Sequence, residues 1–263
     1  MAAFFIAALD ARLVAALGLT DSAKLFTQAV KTAGLKPPSR FGTETVARLL
    51  GLRTNPPAAL DALELSPGQP ATHAEAAYSA ARILQFGEQD AQGIQELAAS
   101  FVLPELTPWQ KKVLKTAVRF IGYPYVWGGE SEFPESPFGP QVHGGFDCSG
   151  FVWRVYKVEH YPDGGMLRDV LQGRTTYAMS GEVPAAKRIP FAKLQPADVI
   201  FFGAKGPKSK AAQIDHMGVY LGNGWFIHSS RYGVAITTLS GWYEKRFAWG
   251  RRPLAEAGLV IPA

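Results

Sequence analysis

The chain has 263 residues, 47% hydrophobic and 19% charged, with 27 Lys and Arg against 22 Asp and Glu, a formal net charge of +5 and a pI near 9.3. This is the composition of a folded chain of one large or two small domains. The mild basic excess suits an anionic surface, but no stretch interleaves dense Lys/Arg with aromatics, so nucleic acid is not an expected partner. The lone Cys148 excludes an intrachain disulfide and a zinc site built from several cysteines, and no apolar run reaches the ~18 residues of a membrane span.

Residues 1–19 are apolar but broken by Asp10 and Arg12, and they lack the basic leader of a signal peptide, so they read as an amphipathic helix. If the protein is exported, its signal lies outside this sequence. Residues 1–105 are expected to form a mainly α-helical domain. Within it three segments resemble one another: 10–19 (DARLVAALGL), 43–52 (TETVARLLGL) and 72–84 (THAEAAYSAARIL). Their spacing of about 33 residues lies in the range of stacked helical repeats. Turn clusters at Lys36-Pro37-Pro38-Ser39, Asn55-Pro56-Pro57 and Ser66-Pro67-Gly68-Gln69-Pro70 end the helices, because Pro cannot continue one and disfavours one just before it. Residues 66–84 (SPGQPATHAEAAYSAARIL) resemble the latter half of an S-layer homology repeat, with His73 where the repeat carries Arg. That resemblance implies wall binding or positioning on cell-wall polymers.

The stretch Leu103-Pro104-Glu105-Leu106-Thr107-Pro108 reads as a boundary. Thr107 suits an N-cap, Pro108 suits the first helical position, and the helix is expected to run to about Ile121. Residues 106–263 are richer in aromatic, Gly and β-branched residues. Strand-like runs at 198–203, 216–221, 225–230 and 233–239 predict an α+β domain, with helices packed on an antiparallel sheet.

Chemistry concentrates at Phe146-Asp147-Cys148-Ser149-Gly150-Phe151-Val152-Trp153. Asp147 can cap a helix that places Cys148 in its first turn, where free N–H groups and the helix dipole would lower the thiol pKa and steady an oxyanion. A Cys nucleophile needs a base, usually His. Of the five histidines, His73 lies in the helical part, and His143 and His160 sit in a loop and at a helix end where they should face solvent. His216 and His228 lie in strands joined by Gly222-Asn223-Gly224. A three-residue loop would set Leu221 opposite Trp225 and bring both histidines to one face, roughly 7–8 Å apart diagonally. Met217, Val219, Leu221, Trp225 and Ile227 would then make the other face a clean core. A two-residue loop would split the histidines and give a poorer core. A Cys/His/His zinc site is the rival use of these groups, but the polar helix-start setting of Cys148 favours a nucleophile, and neither a metal nor a cofactor is expected.

Tyr125-Val126-Trp127-Gly128-Gly129, then Asp147-Cys148-Ser149-Gly150-Phe151, then Asp215-His216-Met217-Gly218-Val219-Tyr220-Leu221-Gly222, then Phe226-Ile227-His228, resemble in order the motifs of the NlpC-type papain-like cysteine peptidases of bacterial cell walls. The stretch Leu194-Gln195-Pro196-Ala197-Asp198-Val199-Ile200-Phe201-Phe202 is similar to a further strand motif of the family, with Ala197 in place of its Gly. The resemblance implies a papain-like fold with Cys148 as nucleophile, His216 as base, His228 as the group that orients it, and Tyr125 lining the oxyanion hole with the Cys148 N–H. It places Asp147, Ser149 and Trp127 among substrate-binding positions, with Asp147 equally readable as a helix cap. It implies hydrolysis of the γ-D-glutamyl–diamino-acid bond of peptidoglycan stem peptides, outside the cytoplasm. An amidase or transpeptidase on the same scaffold, or a wall-binding protein with a silent site, are the alternatives. Two loops, 130–145 and 204–214, could border the cleft and gate entry or be plain surface.

Overall fold

The computed structural model describes residues 5–53, 65–136 and 139–259. The expected turn at Asn55-Pro56-Pro57 and the first four residues of the apolar start lie outside these. The N-terminal part is helical: α1 (Ile6–Ala16), α2 (Thr20–Thr32), α3 (Phe41–Leu49), α4 (His73–Ile83) and α5 (Glu88–Ser100). Thr72 caps α4 by accepting the Glu75 N–H. The sequence reading of this region named the three similar segments but did not single out α2 and α5. Helix α6 (Pro108–Arg119) begins as expected, with Thr107 and Gln110 in a reciprocal capping box and Pro108 in the first turn.

Two short ribbons follow. β1 (Glu130–Ser131) pairs with β4 (Gly145–Phe146) around β2 (Glu135–Ser136) and β3 (Gly139–Pro140). The Gln141 side chain stitches this loop, donating to the Ser131, His143 and Gly145 carbonyls and accepting from the Glu130 N–H. Helix α7 (Cys148–Trp153) continues as a π-helical turn over Arg154–Val158, and α8 (Leu167–Val170) and α9 (Thr176–Gly181) lead to the main sheet.

That sheet is antiparallel, with β5 (Val199–Gly203), β6 (Ile214–Gly222), β7 (Trp225–Ser230), β8 (Gly233–Thr238) and β9 (Phe247–Arg251) in the order β8-β7-β6-β5-β9. Between β8 and β9 lies α10 (Trp242–Arg246), and α11 (Pro253–Glu256) follows β9. Four strands fall on the expected runs. Edge strand β9 was not anticipated: all five of its residues are buried, so it shows no in/out alternation. Ala197, just before β5, has φ +68°, a left-handed conformation that costs a residue with a Cβ roughly 1–2 kcal/mol. Its N–H donates to the Tyr220 carbonyl and its carbonyl accepts the Tyr156 hydroxyl, which hold it there.

One face of the sheet (Val199, Phe201, Met217, Val219, Leu221, Trp225, Ile227) packs on α6 and α7 and is continuous with the N-terminal helices. Phe26 of α2, Phe101 and Trp225 form an aromatic trio with centroids 4.9–6.0 Å apart. Arg48 of α3 donates to the Tyr232 and Gly122 carbonyls. Arg48 is buried, as are Asp10, Glu44, Arg53 and Glu75. Arg53 lies 2.8 Å from Glu75 and 3.2 Å from Asp10. The opposite sheet face carries a smaller cluster of Ile200, Phe202, Phe226, Leu239 and Phe247.

Candidate active site

The hairpin that carries the two histidines reaches the expected register by a different route. Val219 pairs with Ile227 and Tyr220 with Phe226, but Gly222 pairs with Trp225. The connection is therefore a two-residue Asn223-Gly224 turn, with φ positive at both residues (49° and 78°), as a tight hairpin turn matched to strand twist requires. Leu221 is the extra residue of a bulge, and Gly222 follows it at φ 109°. The bulge adds the residue that a three-residue loop would have added, so the face assignment survives. His216 Nε2 lies 2.6 Å from His228 Nδ1, with the rings edge to face at 4.9 Å. His228 is buried and His216 partly so. Phe202 and Phe226 pack against them from the sheet, at 5.7 Å from His216 and 4.7 Å from His228 respectively.

Cys148 opens α7, 9% exposed. Asp147 caps the helix by accepting the Gly150 N–H. The backbone N–H groups of Ser149, Met217 and Cys148 all lie close enough to favour the thiolate, and Met217 directly follows His216 in β6. The expected lowering of the thiol pKa is nevertheless overturned. Burial, followed by the neighbouring Asp147 carboxylate, outweighs those N–H groups and pushes Cys148 up to about 12. Burial likewise lowers His216 to about 4, with Asp215 opposing and Arg246 reinforcing the shift. His228 is driven well below its ordinary value by burial and then by His216. At neutral pH the resting pair is a thiol and a neutral imidazole.

Tyr125 sits alongside Phe146 in an isolated parallel bridge. Val126 N–H donates to the Phe146 carbonyl, Phe146 N–H to the Pro124 carbonyl, and Asp147 N–H to the Gly129 carbonyl. Ser229 Oγ of β7 also donates to the Phe146 carbonyl, at 2.6 Å. These bonds fix the Tyr125 segment, the Cys148 helix and the His228 strand together. Gly150 has no room for a side chain: a Cβ there would lie 1.9 Å from the Gly129 oxygen.

Asp147 is heavily engaged by the protein itself. One oxygen accepts from Gly150 N–H, Ser149 Oγ and Arg174, and the other accepts from Gly128 N–H. Arg174 also donates to Ser149 Oγ at 2.8 Å, to Glu130 at 2.6 Å, and to the Gly128 and Gly129 carbonyls. The helix-cap reading of Asp147 is thus realised in the geometry. Trp127 stands 74% exposed beside this network. Sequence reasoning missed Arg174, which sits among small polar residues far from the motifs, and Tyr243 of α10, whose ring packs against both histidines. No periodicity or spacing flags either. Of the remaining histidines, His160 is exposed as expected and His73 is exposed as well, whereas His143, expected to face solvent, is partly buried, with Nδ1 3.0 Å from the Gly144 carbonyl.

A cysteine at a helix start, set against a histidine pair on an antiparallel sheet, defines the papain-like α+β class. Residues 122–252 match the NlpC/P60 family, and through this segment the chain belongs to it. The γ-D-glutamyl-L-lysine dipeptidyl-peptidase of Bacillus subtilis (strain 168) is 31% identical over 147 residues, which are 55% of this chain and 41% of that protein. The murein DD-endopeptidase MepH of Escherichia coli (strain K12) is 34% identical over 144 residues, 54% of this chain and 45% of that protein. The crystal structure of an NlpC/P60 family protein from Bacillus cereus ATCC 10987 aligns at TM-score 0.42 and 27% identity, over 59% of this chain and 43% of that one. The chain thus spans less than half the length of these relatives. By name the first of these relatives is a dipeptidyl-peptidase and the second a murein endopeptidase, and among the described residues no helix is long and apolar enough to cross a membrane.

Proposed function

We propose that this protein is a cysteine endopeptidase that hydrolyses the γ-D-glutamyl–diamino-acid bond of peptidoglycan stem peptides, outside the cytoplasm, through an acyl-enzyme on Cys148. The observation that carries the reading is the 2.6 Å His216–His228 contact on the strand whose Met217 N–H faces the Cys148 thiol. With Nε2 of His216 donating to His228, Nδ1 is the basic nitrogen available to the thiol. His216 takes the thiol proton as sulfur attacks the scissile carbonyl, because neither group is ionised at rest. The Cys148 N–H and the Tyr125 hydroxyl receive the oxyanion. His216 returns the proton to the leaving amine, then deprotonates the water that frees the acyl group. His228 holds the imidazole in orientation and tautomer. Asp147 and Ser149 are proposed to meet the amine end of the stem peptide, with Trp127 at the rim. Arg174, 2.8 Å from Ser149 Oγ, weakens the pull of that subsite on an ammonium group. The helices of residues 1–105 are proposed to position the enzyme on wall polymers.

The test is mass spectrometry of products from purified peptidoglycan and from a γ-D-Glu–diaminopimelate peptide, with Cys148→Ala as control. Cleavage at that bond by the wild type alone supports the reading, and no cleavage of either substrate refutes it. A second reading, cleavage of the DD cross-link, is favoured by the name of the E. coli relative, and products split there would select it. Products carrying an added amine would identify a transpeptidase. For the N-terminal helices, retention of the intact Cys148→Ala protein on purified sacculi is expected, and its absence removes the positioning role.

A further inference from the structure

Helix α10 enters from Gly241 at φ +57° and leaves through Arg246, whose guanidinium is 2.5 Å from Asp215, the residue before His216. The C-terminal end of the segment is thereby tied to the histidine strand. From it the Tyr243 ring meets His228 edge-on, at 5.3 Å and 88°, and lies 6.2 Å from His216. The same ring packs on Phe226 at 5.0 Å and Phe202 at 5.4 Å. Phe202 and Phe226 are fully buried and close the sheet side. Tyr243 is partly exposed, and its neighbour Trp242 is 60% exposed, so the solvent side of the histidine box is closed by α10.

We propose that Tyr243 is a positioning residue for the His216–His228 pair: its ring wedges His228 into the orientation that receives His216 and keeps bulk water off both imidazoles. This rests on the proposed Cys148–His216 chemistry. A flat ring edge against His228 restricts imidazole rotation in a way an aliphatic chain cannot, because aromatic contacts prefer defined edge and offset geometries. The groups that act on the pair are few. Asp215 and Arg246, paired to each other, act on His216 in opposite senses, and His216 acts on His228. Cys148 approaches from α7, and Arg231 and Tyr232 act on Tyr243. Opening the solvent side would thus chiefly undo desolvation and let the imidazoles protonate nearer their ordinary range.

The experiment compares Tyr243→Phe and Tyr243→Leu with wild type in the full chain, by kcat and KM against pH and by ¹⁵N NMR titration of the two imidazoles. The Phe variant should keep the wild-type pH profile, since it retains the ring. The Leu variant should lose at least about tenfold in kcat with little change in KM. Its acid limb and its imidazole titrations should move up by about one pH unit or more. A Leu variant that is less stable but keeps the wild-type imidazole titrations and acid limb overturns the proposal and leaves Tyr243 as packing alone. If the wild type cleaves no wall substrate, the proposed function falls, and the NMR titration still decides the role of Tyr243.

Discussion

Gly150→Ala tests the idea that the nucleophile is placed by backbone-to-backbone contact. The added methyl carbon would stand 1.9 Å from the Gly129 carbonyl oxygen and 2.7 Å from an Arg174 Nη. Carbon–oxygen contacts settle at roughly 3.3 Å, so helix α7 and the Gly128–Gly129 turn must part by more than about 1 Å. Arg174 can swing away; the carbonyl belongs to a backbone held by the Asp147 N–H and cannot move alone. Overpacking of this kind costs about 1–3 kcal/mol, and a displacement near 1 Å of a reacting group costs about 10²-fold in rate. The expectation is a fall of at least about 100-fold in wall-peptide cleavage, with Tm lowered at about 2–4 °C per kcal/mol. Initial rates and thermal unfolding on the same preparation measure both. A variant within about threefold of wild-type activity, with Tm unchanged, would refute the placement argument.

As a contrast, Gly93→Ala in α5 meets nothing within 4 Å and should raise stability by about 0.5–1 kcal/mol in denaturant titrations, because Ala restricts the unfolded chain. His228→Ala should lower kcat by about 10²–10⁴ while His228→Asn recovers part of it, since the loss is one of imidazole orientation; equal activity in all three would remove His228 from the mechanism. Iodoacetamide labelling of Cys148 should rise about tenfold per pH unit from pH 7 to 9 without a plateau, given a thiol raised to about 12; a plateau near neutrality would show a resting thiolate–imidazolium pair instead. Stability against acid should show two opposing slopes. His216, lowered from 6.5 to about 4 by burial, gives stability present above pH 6.5 and lost as pH falls to 4, on the order of 3 kcal/mol. Asp10, raised from 3.8 to about 7 by burial and Glu44, gives stability present below pH 3.8 and lost as pH rises to 7. His228, also lowered by burial, adds to the His216 slope, so between pH 4.5 and 6.5 denaturant unfolding of His216→Phe should lose less stability on acidification than wild type does; parallel curves would refute the His216 contribution.

Much of the site could be read because it is built from contiguous motifs. Hairpin parity told which way His216 and His228 face, since one buried sheet face admits one register. The same reasoning missed how the register arises: it compared loop lengths, whereas the chain combines a tight Asn223-Gly224 turn with a bulge at Leu221. The direction of the Cys148 pKa was misjudged because helix-start N–H groups are visible in sequence but the depth of burial is not. Arg174, Tyr243 and β9 were invisible for a related reason. Each gains its role only from packing against segments distant in sequence, and none carries a local pattern. The shared core of Phe26, Phe101 and Trp225 is likewise a property of assembled surfaces, so composition could mark a boundary near residue 105 without revealing how closely the parts adjoin.

The bulge at Leu221 gives this hairpin an unusual genetic fragility. Most substitutions near the turn would alter a side chain and leave the phase of the strand intact. Loss of one codon between Leu221 and Gly224 would turn every residue of β7 over relative to β6, carrying His228 into the hydrophobic interior and Ile227 out beside His216. Lineages descending from this sequence should therefore tolerate replacement in the turn far more readily than any change in its length, unless a second insertion restores the count.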